Sequence, residues 1–104
     1  MPKNHTTRPF TEALPEICER QGVTFRELAR TLDIHHSVIG RMLDGTRPAQ
    51  PDLIAEISEY LGLAQDYFPE VRLARIVDAL IDHPRLRDEI YFNRIRGGSS
   101  RRNE

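Results

Sequence analysis

The chain has 104 residues, of which 38% are apolar, and its 15 basic and 16 acidic residues give a formal net charge of −1 at pH 7. This length and composition suit one domain with a modest core and exclude a disordered chain. The balanced charge excludes a protein that binds polyanions through a global excess of cations.

Apolar residues recur at spacings of three and four after residue 9, which is typical of amphipathic helices, and no segment alternates as a strand does. Residues 1–9 are polar, contain two prolines and are predicted to form a flexible arm. The first helix is predicted over 11–21, with Thr11 as its N-cap and Gly22 as its end. Pro15 lies about a turn inside this helix, so we expect the start to be distorted or later.

The second helix has the best-marked start in the sequence. Thr24 and Glu27 form a capping-box pattern, in which the Thr hydroxyl and the Glu carboxylate each accept a hydrogen bond from a backbone N–H at the helix start. The apolar stripe of this helix consists of Phe25, Leu28, Ala29 and Leu32.

A short third helix is predicted over 36–43, after a tight turn at Asp33 and Ile34 and before Gly45. Two short helices joined by a turn of about three residues have the anatomy of a helix-turn-helix motif. The inward residues of the third helix are expected to be Ile39, Met42 and Leu43. This arrangement leaves an outward face formed by His36, Ser37, Gly40 and Arg41.

The fourth helix is predicted to begin at Pro51, after the loop 46–50, because proline suits the first position of a helix. Gly62 marks its end. Its apolar residues are Leu53, Ile54, Ile57 and Leu61.

Two further helices are predicted over 70–82 and 85–94, separated by a break at His83 and Pro84. The last residues, 96–104, are mostly Gly, Ser and Arg, contain no apolar side chain and are predicted to form a disordered tail. The fifth helix carries its apolar residues on one face, which is expected to be first of all core: Leu73, Ile76, Val77, Leu80 and Ile81.

Motifs for several other classes of protein are missing from the sequence. No apolar run reaches the roughly 18–20 residues that span a bilayer, and no apolar signal stretch opens the chain. The single cysteine, Cys18, excludes an internal disulfide and favours a reducing compartment, so we expect a cytoplasmic protein with no membrane contact. Cys18 and the four histidines lack the spacing of a zinc site, and neither a phosphate loop nor a nucleophile turn occurs. We therefore expect no enzyme, no metal and no cofactor.

Residues 22–48 have the sequence Gly22-Val-Thr-Phe-Arg-Glu-Leu-Ala-Arg-Thr-Leu-Asp-Ile-His-His-Ser-Val-Ile-Gly-Arg-Met-Leu-Asp-Gly-Thr-Arg-Pro. This segment resembles the phage-repressor-like, or xenobiotic-response-element type, helix-turn-helix family. The resemblance extends over about residues 10–68, through the Leu-Gly end of the fourth helix. It implies an all-α, lambda-repressor-like bundle of five to six helices, with a DNA-binding domain at 10–68. Residues 69–95 are then expected to pack on the core as one or two extra helices and to dimerise.

The resemblance also implies where DNA is contacted, since the second helix of such a motif enters the major groove. The positions that match base-contacting residues are His36, Ser37, Gly40 and Arg41. The positions that match phosphate contacts are Thr24, Phe25 and Arg26 at the start of the second helix, and Thr46 and Arg47 in the following loop.

Four positions depart from the family pattern. Phe25 stands where the family often has Gln, and Asp33 replaces the usual turn Gly, although Asp also tolerates left-handed geometry. His35 replaces a Ser or Gly cap, and Asp44 brings a carboxylate near the expected phosphates.

The function that the resemblance implies is a sequence-specific regulator of transcription, most often a repressor, that binds double-stranded DNA. A homodimer on a palindromic operator is expected, because one recognition helix reads only a few base pairs. The predicted dimer interface consists of Leu73, Val77, Leu80, Leu86, Ile90 and Phe92. The alternative is an antitoxin or adaptor that binds a protein partner through the C-terminal helices, which Phe25, Asp44 and the near-neutral charge favour.

Overall fold

The computed structural model describes residues 4–97, and every regular element among them is helical. The all-α fold of five to six helices predicted from the sequence is therefore confirmed. No helix in this part of the chain could cross a membrane. The elements in chain order are α1 Phe10–Gln21, α2 Phe25–Thr31, α3 His36–Asp44, α4 Pro51–Tyr60, α5 Pro69–Asp82, α6 Pro84–Ile90 and a π-helical segment Tyr91–Arg96.

The chain divides into two units, Met1–Leu73 and Ala74–Glu104. The first unit holds the buried core, to which α1, α2, α3, α4 and the first turn of α5 contribute. The rings of Phe10 and Phe68 meet edge to face, with centroids 5.3 Å apart. The other large buried side chains of this core are Leu14, Ile17, Leu28, Ile39, Met42, Leu53, Ile54, Ile57 and Leu61.

The helix α1 begins at Phe10, one residue before the predicted start. Pro9 is the N-cap in an extended conformation, and no side chain at that position caps the helix. The Phe10 N–H instead donates to both carboxylate oxygens of Glu70, at 2.9 and 3.2 Å. The prediction of Thr11 as N-cap is therefore wrong, because the acceptor comes from α5, 60 residues away.

Pro15 lies inside α1, and the helix continues through it. The expected later start is therefore wrong. Pro15 is exposed, so the missing N–H falls on the solvent side of α1, where water can replace the lost donor.

The segment before α1 is held by hydrogen bonds rather than forming the predicted flexible arm. The Thr6 N–H donates to the Tyr67 carbonyl at 2.9 Å, and Arg72 donates to the Thr6 carbonyl at 2.7 Å. The Arg8 guanidinium also pairs with the Glu16 carboxylate at 2.6 Å. Residues 1–3 of the predicted arm lie outside the described residues.

Left-handed backbone at two positions sets the ends of the motif helices. Asp33 has φ 57° in the turn between α2 and α3, which confirms that Asp takes over the conformation of the expected Gly. Gly45 ends α3 with φ 84°, as its sequence position predicts.

The second unit contains most of α5, all of α6 and the π-helical segment. Val71, which precedes this unit, is the buried residue of α5, whereas Leu73 and Ile81 are 62% and 67% exposed. Ile76 and Val77 are exposed as well, so the expectation that this stripe is core is wrong for these four side chains. An amphipathic pattern shows that one face is apolar but not what covers it.

The break at His83 and Pro84 is confirmed, with the His83 ring 2.9 Å from the Ala79 carbonyl oxygen. The helix α6 ends at Ile90, earlier than predicted, because the backbone then widens to the π-helical spacing. The Gly97 N–H accordingly donates to the Phe92 carbonyl, five residues back. Arg96 is thus helical rather than part of a disordered tail, and residues 98–104 of that predicted tail lie outside the described residues.

Candidate nucleic-acid interface

The start of α2 contains the capping box that the sequence predicts. The Thr24 hydroxyl accepts a hydrogen bond from the Glu27 N–H at 3.1 Å, and the Thr24 N–H donates to the Glu27 carboxylate at 3.1 Å. The Thr24 hydroxyl donates to the same carboxylate at 3.0 Å. These bonds hold the pKa of Glu27 below its ordinary value, so the carboxylate is charged at neutral pH.

This arrangement changes what Thr24 offers to DNA. Its N–H and its hydroxyl are the donors predicted to bind a phosphate, and both already donate to Glu27. The capping box leaves the N–H groups of the first two helical residues, Phe25 and Arg26, without a partner inside the helix.

Phe25 is half-buried and packs against the core. It lines a cleft together with Pro15, Val23 and the buried Cys18, whose thiol pKa is raised by burial. The Phe25 side chain therefore offers no polar group to a phosphate, and a contact at this position depends on its N–H.

The start of α3 is capped by a histidine. The Nδ1 atom of His35 accepts a hydrogen bond from the Ser37 N–H at 3.2 Å, and the Ser37 Oγ atom lies 2.7 Å from the same nitrogen. The His35 ring also stacks on the His36 ring, with centroids 4.4 Å apart. Ser37, predicted to contact a base, thus has its hydroxyl in the cap, whereas His36 is exposed.

The helix α3 buries one face and exposes the other. Ile39 and Met42 belong to the core, and Leu43 packs against it. Gly40 and Arg41 are exposed, and a Cβ added at Gly40 would meet nothing within 4 Å. The structure therefore places His36, Gly40 and Arg41 on an accessible surface, as the sequence predicts.

The loop after α3 is closed by a carboxylate. Asp44 accepts hydrogen bonds from the Thr46 N–H at 2.9 Å and from the Thr46 hydroxyl at 2.6 Å, and both hold its pKa below the ordinary value. The half-buried Arg47 donates its N–H to the Arg41 carbonyl at 3.1 Å. Thr46, predicted to bind a phosphate, thus has both donors on Asp44.

The sequence indicated that Asp44 brings a carboxylate near the expected phosphates, whereas Glu27 was predicted only as a member of the capping box. The signals were present, because a capping box and an Asp two residues before a Thr both predict local side-chain hydrogen bonds. The donors of Thr24 and Thr46 that bind these carboxylates are the same donors that were predicted to bind DNA phosphates. The carboxylates and the phosphates therefore compete for them.

The residues predicted to form a dimer interface lie in α5, α6 and the π-helical segment. Leu73, Val77, Leu86 and Phe92 are exposed, and Leu80 and Ile90 are half-buried. Over residues 4–97 no group of three or more His, Cys, Asp or Glu side chains is placed to hold a metal ion.

A family model described as a helix-turn-helix domain matches residues 10–71. The match spans α1 to α4 and the first residues of α5, and so includes both helices of the motif. Neither a curated protein nor a solved structure matches the chain.

Proposed function

Because the chain belongs to the helix-turn-helix domain family and is therefore a DNA-binding protein, we propose that it is a phage-repressor-like regulator that represses transcription. The helix α3 enters the major groove and reads base edges. The observation that carries this proposal is the accessible face of α3, where Arg41 and Gly40 are exposed opposite the buried Ile39 and Met42.

Each residue of this face has a chemical role. Arg41 presents the planar donor fork that pairs with a guanine edge. Gly40 lets the helix backbone approach the groove closely, because no side chain occupies that position. His36 reaches the groove from the first turn of α3, and Ser37 holds that turn through the His35 cap.

A homodimer on a palindromic operator completes the proposal. The net charge of −1 provides little sequence-independent attraction, so one domain has too few contacts for a stable complex. Exposed apolar side chains on α5 and beyond, such as Ile76 and Phe92, support pairing with a second copy. Two-fold pairing doubles the base contacts and matches the symmetry of the operator.

A footprint on the DNA upstream of the protein's own gene tests the proposal. The expected result is one protected, two-fold symmetric site that a mobility shift reproduces with the purified chain. The Arg41→Ala variant loses this site, whereas Arg20→Ala, a matched change on α1, retains it. Equal weak binding of the wild-type chain to all fragments contradicts the proposal.

The second candidate is an adaptor or antitoxin that binds a protein partner through the C-terminal helices. The observation in its favour is that Glu27 and Asp44 already occupy the donors predicted for DNA phosphates. Co-expression with the product of a neighbouring toxin-like reading frame separates the two roles. A stable one-to-one complex that binds no DNA favours the adaptor.

A further inference from the structure

A cleft of about 260 Å³ lies between α2 and the start of α3. Its polar walls are Arg26, Arg30 and the stacked rings of His35 and His36, and Ala29 and Ile34 form the apolar part of the lining. A water molecule takes about 30 Å³ in the liquid, so this space holds one tetrahedral oxyanion with several waters.

The charges around the cleft have one sign. Arg26 and Arg30 are four residues apart on α2, so their like charges lie on the same side of the helix and repel. Neither of them forms an ion pair with another residue of the described chain. Glu27 is the acidic group whose pKa responds to Arg30, and its carboxylate is bound to Thr24 outside the cleft lining.

The His35 imidazole adds a donor rather than an acceptor. The Nδ1 atom of His35 accepts the Ser37 N–H, so the neutral ring carries its proton on Nε2, which is then a hydrogen-bond donor. His36 stacks on this ring and also lines the cleft. Two guanidinium groups and two imidazoles therefore surround a space that no carboxylate lines.

We propose that this cleft binds one phosphate oxyanion through Arg26 and Arg30, in the first place a backbone phosphodiester of the DNA. The inference rests on the proposed function and adds Arg30 and His35 to the interface. A phosphate held beside His35 and His36 fixes the register of α3 in the groove, since phosphate contacts position a protein on DNA and base contacts specify the sequence. This contact compensates for Thr24 and Thr46, whose donors are on carboxylates.

The salt dependence of DNA binding tests this site. The Arg30→Gln variant is expected to weaken binding to all duplexes by the same factor and to reduce the slope of log affinity against log salt by about one. The Arg30→Lys variant retains most of the slope, and Arg20→Gln, an equal charge change on α1, leaves the slope as in the wild-type chain. Thermal unfolding verifies that each variant is folded.

A titration with inorganic phosphate distinguishes the two sources of the oxyanion. Saturable shifts of the His35 and His36 ring resonances in the wild-type chain, lost in Arg30→Gln, indicate a site that also takes free phosphate. Resonance shifts that appear on adding a duplex but not on adding phosphate indicate a site for the DNA backbone. An unchanged salt slope in Arg30→Gln, with no resonance shift on adding phosphate, overturns the inference and leaves the proposed function intact. If the wild-type chain binds no DNA, the proposed function fails. The phosphate titration alone then tests whether the cleft binds an oxyanion.

Discussion

The Asp44 carboxylate accepts both donors of Thr46, the N–H at 2.9 Å and the hydroxyl at 2.6 Å. Glu27 holds the N–H and the hydroxyl of Thr24 in the same way at the start of α2. A DNA phosphate at either place must displace a charged carboxylate or bind beside it. One domain is therefore expected to bind DNA weakly and to depend on a second copy and on base contacts.

Replacing Asp44 by Asn is expected to increase DNA affinity about threefold at low salt, because a negative charge near the phosphates is removed while an acceptor for Thr46 remains. Fluorescence anisotropy with labelled duplexes measures the change. Glu56→Gln, the same loss of charge on the exposed side of α4, serves as the control. An affinity that stays the same or falls in Asp44→Asn contradicts this account of the loop.

The capping box predicts a pH-dependent contribution to stability. The lowered pKa of Glu27 means that its contribution is complete above the ordinary Glu pKa and is lost as the pH falls through the lowered value. Thr24→Ala is expected to lower the free energy of unfolding by about 1 kcal/mol near neutral pH. Urea unfolding compares the two chains, and the difference should shrink in acid. A difference in the free energy of unfolding that is the same at neutral pH and in acid would show that the charged Glu27 carboxylate does not contribute to it.

The hydrogen bond from Phe10 to Glu70 is expected to stabilise the first unit. Glu70→Ala leaves the N–H at the start of α1 without its acceptor in a partly buried place, and the free energy of unfolding should fall by about 1–2 kcal/mol. Denaturant midpoints measure the loss, with Glu56→Ala on the exposed side of α4 as the control. Equal midpoints for the two variants would mean that water replaces the carboxylate without cost.

The local signals in the sequence predicted the motif well. The capping box at Thr24, the left-handed turn at Asp33 and the end of α3 at Gly45 all depend on residues within a few positions of each other. Helix capping and turn geometry act over that range, so a single sequence contains them.

The structural features that the sequence did not predict depend on contacts with residues distant in the chain, or on whether another surface covers an apolar face. The acceptor for the Phe10 N–H comes from Glu70, and the segment before α1 is fixed by Tyr67 and Arg72, so no local pattern contains these contacts. The apolar stripe of α5 was predicted correctly as a stripe, but its exposure at Ile76 is not a property of its own sequence. The hydrogen bonds from Thr46 to Asp44 have a local signal in the sequence, and the prediction missed only that they occupy the donors assigned to a phosphate.

The exposed stripe of α5 gives a prediction about assembly. Replacing Ile76 and Ile81 together by Glu is expected to convert the proposed dimer to monomers, because charge is placed on the exposed apolar face that we propose pairs with a second copy. Sedimentation equilibrium without DNA measures the change. Asp78→Lys, on the polar side of the same helix, should remain dimeric. A wild-type chain that is monomeric with and without DNA contradicts the dimer.

Selection from a library of random duplexes tests most directly whether α3 reads DNA sequence. The wild-type chain is expected to enrich a palindrome whose half-sites are about one helical turn apart. Arg41→Ala should bind the enriched site at least about tenfold more weakly and lose preference for one base pair per half-site. Its affinity for random duplexes should change little. A library that yields no common sequence, or an Arg41→Ala variant that selects the same site with equal affinity, would contradict the assignment of α3 as the recognition helix.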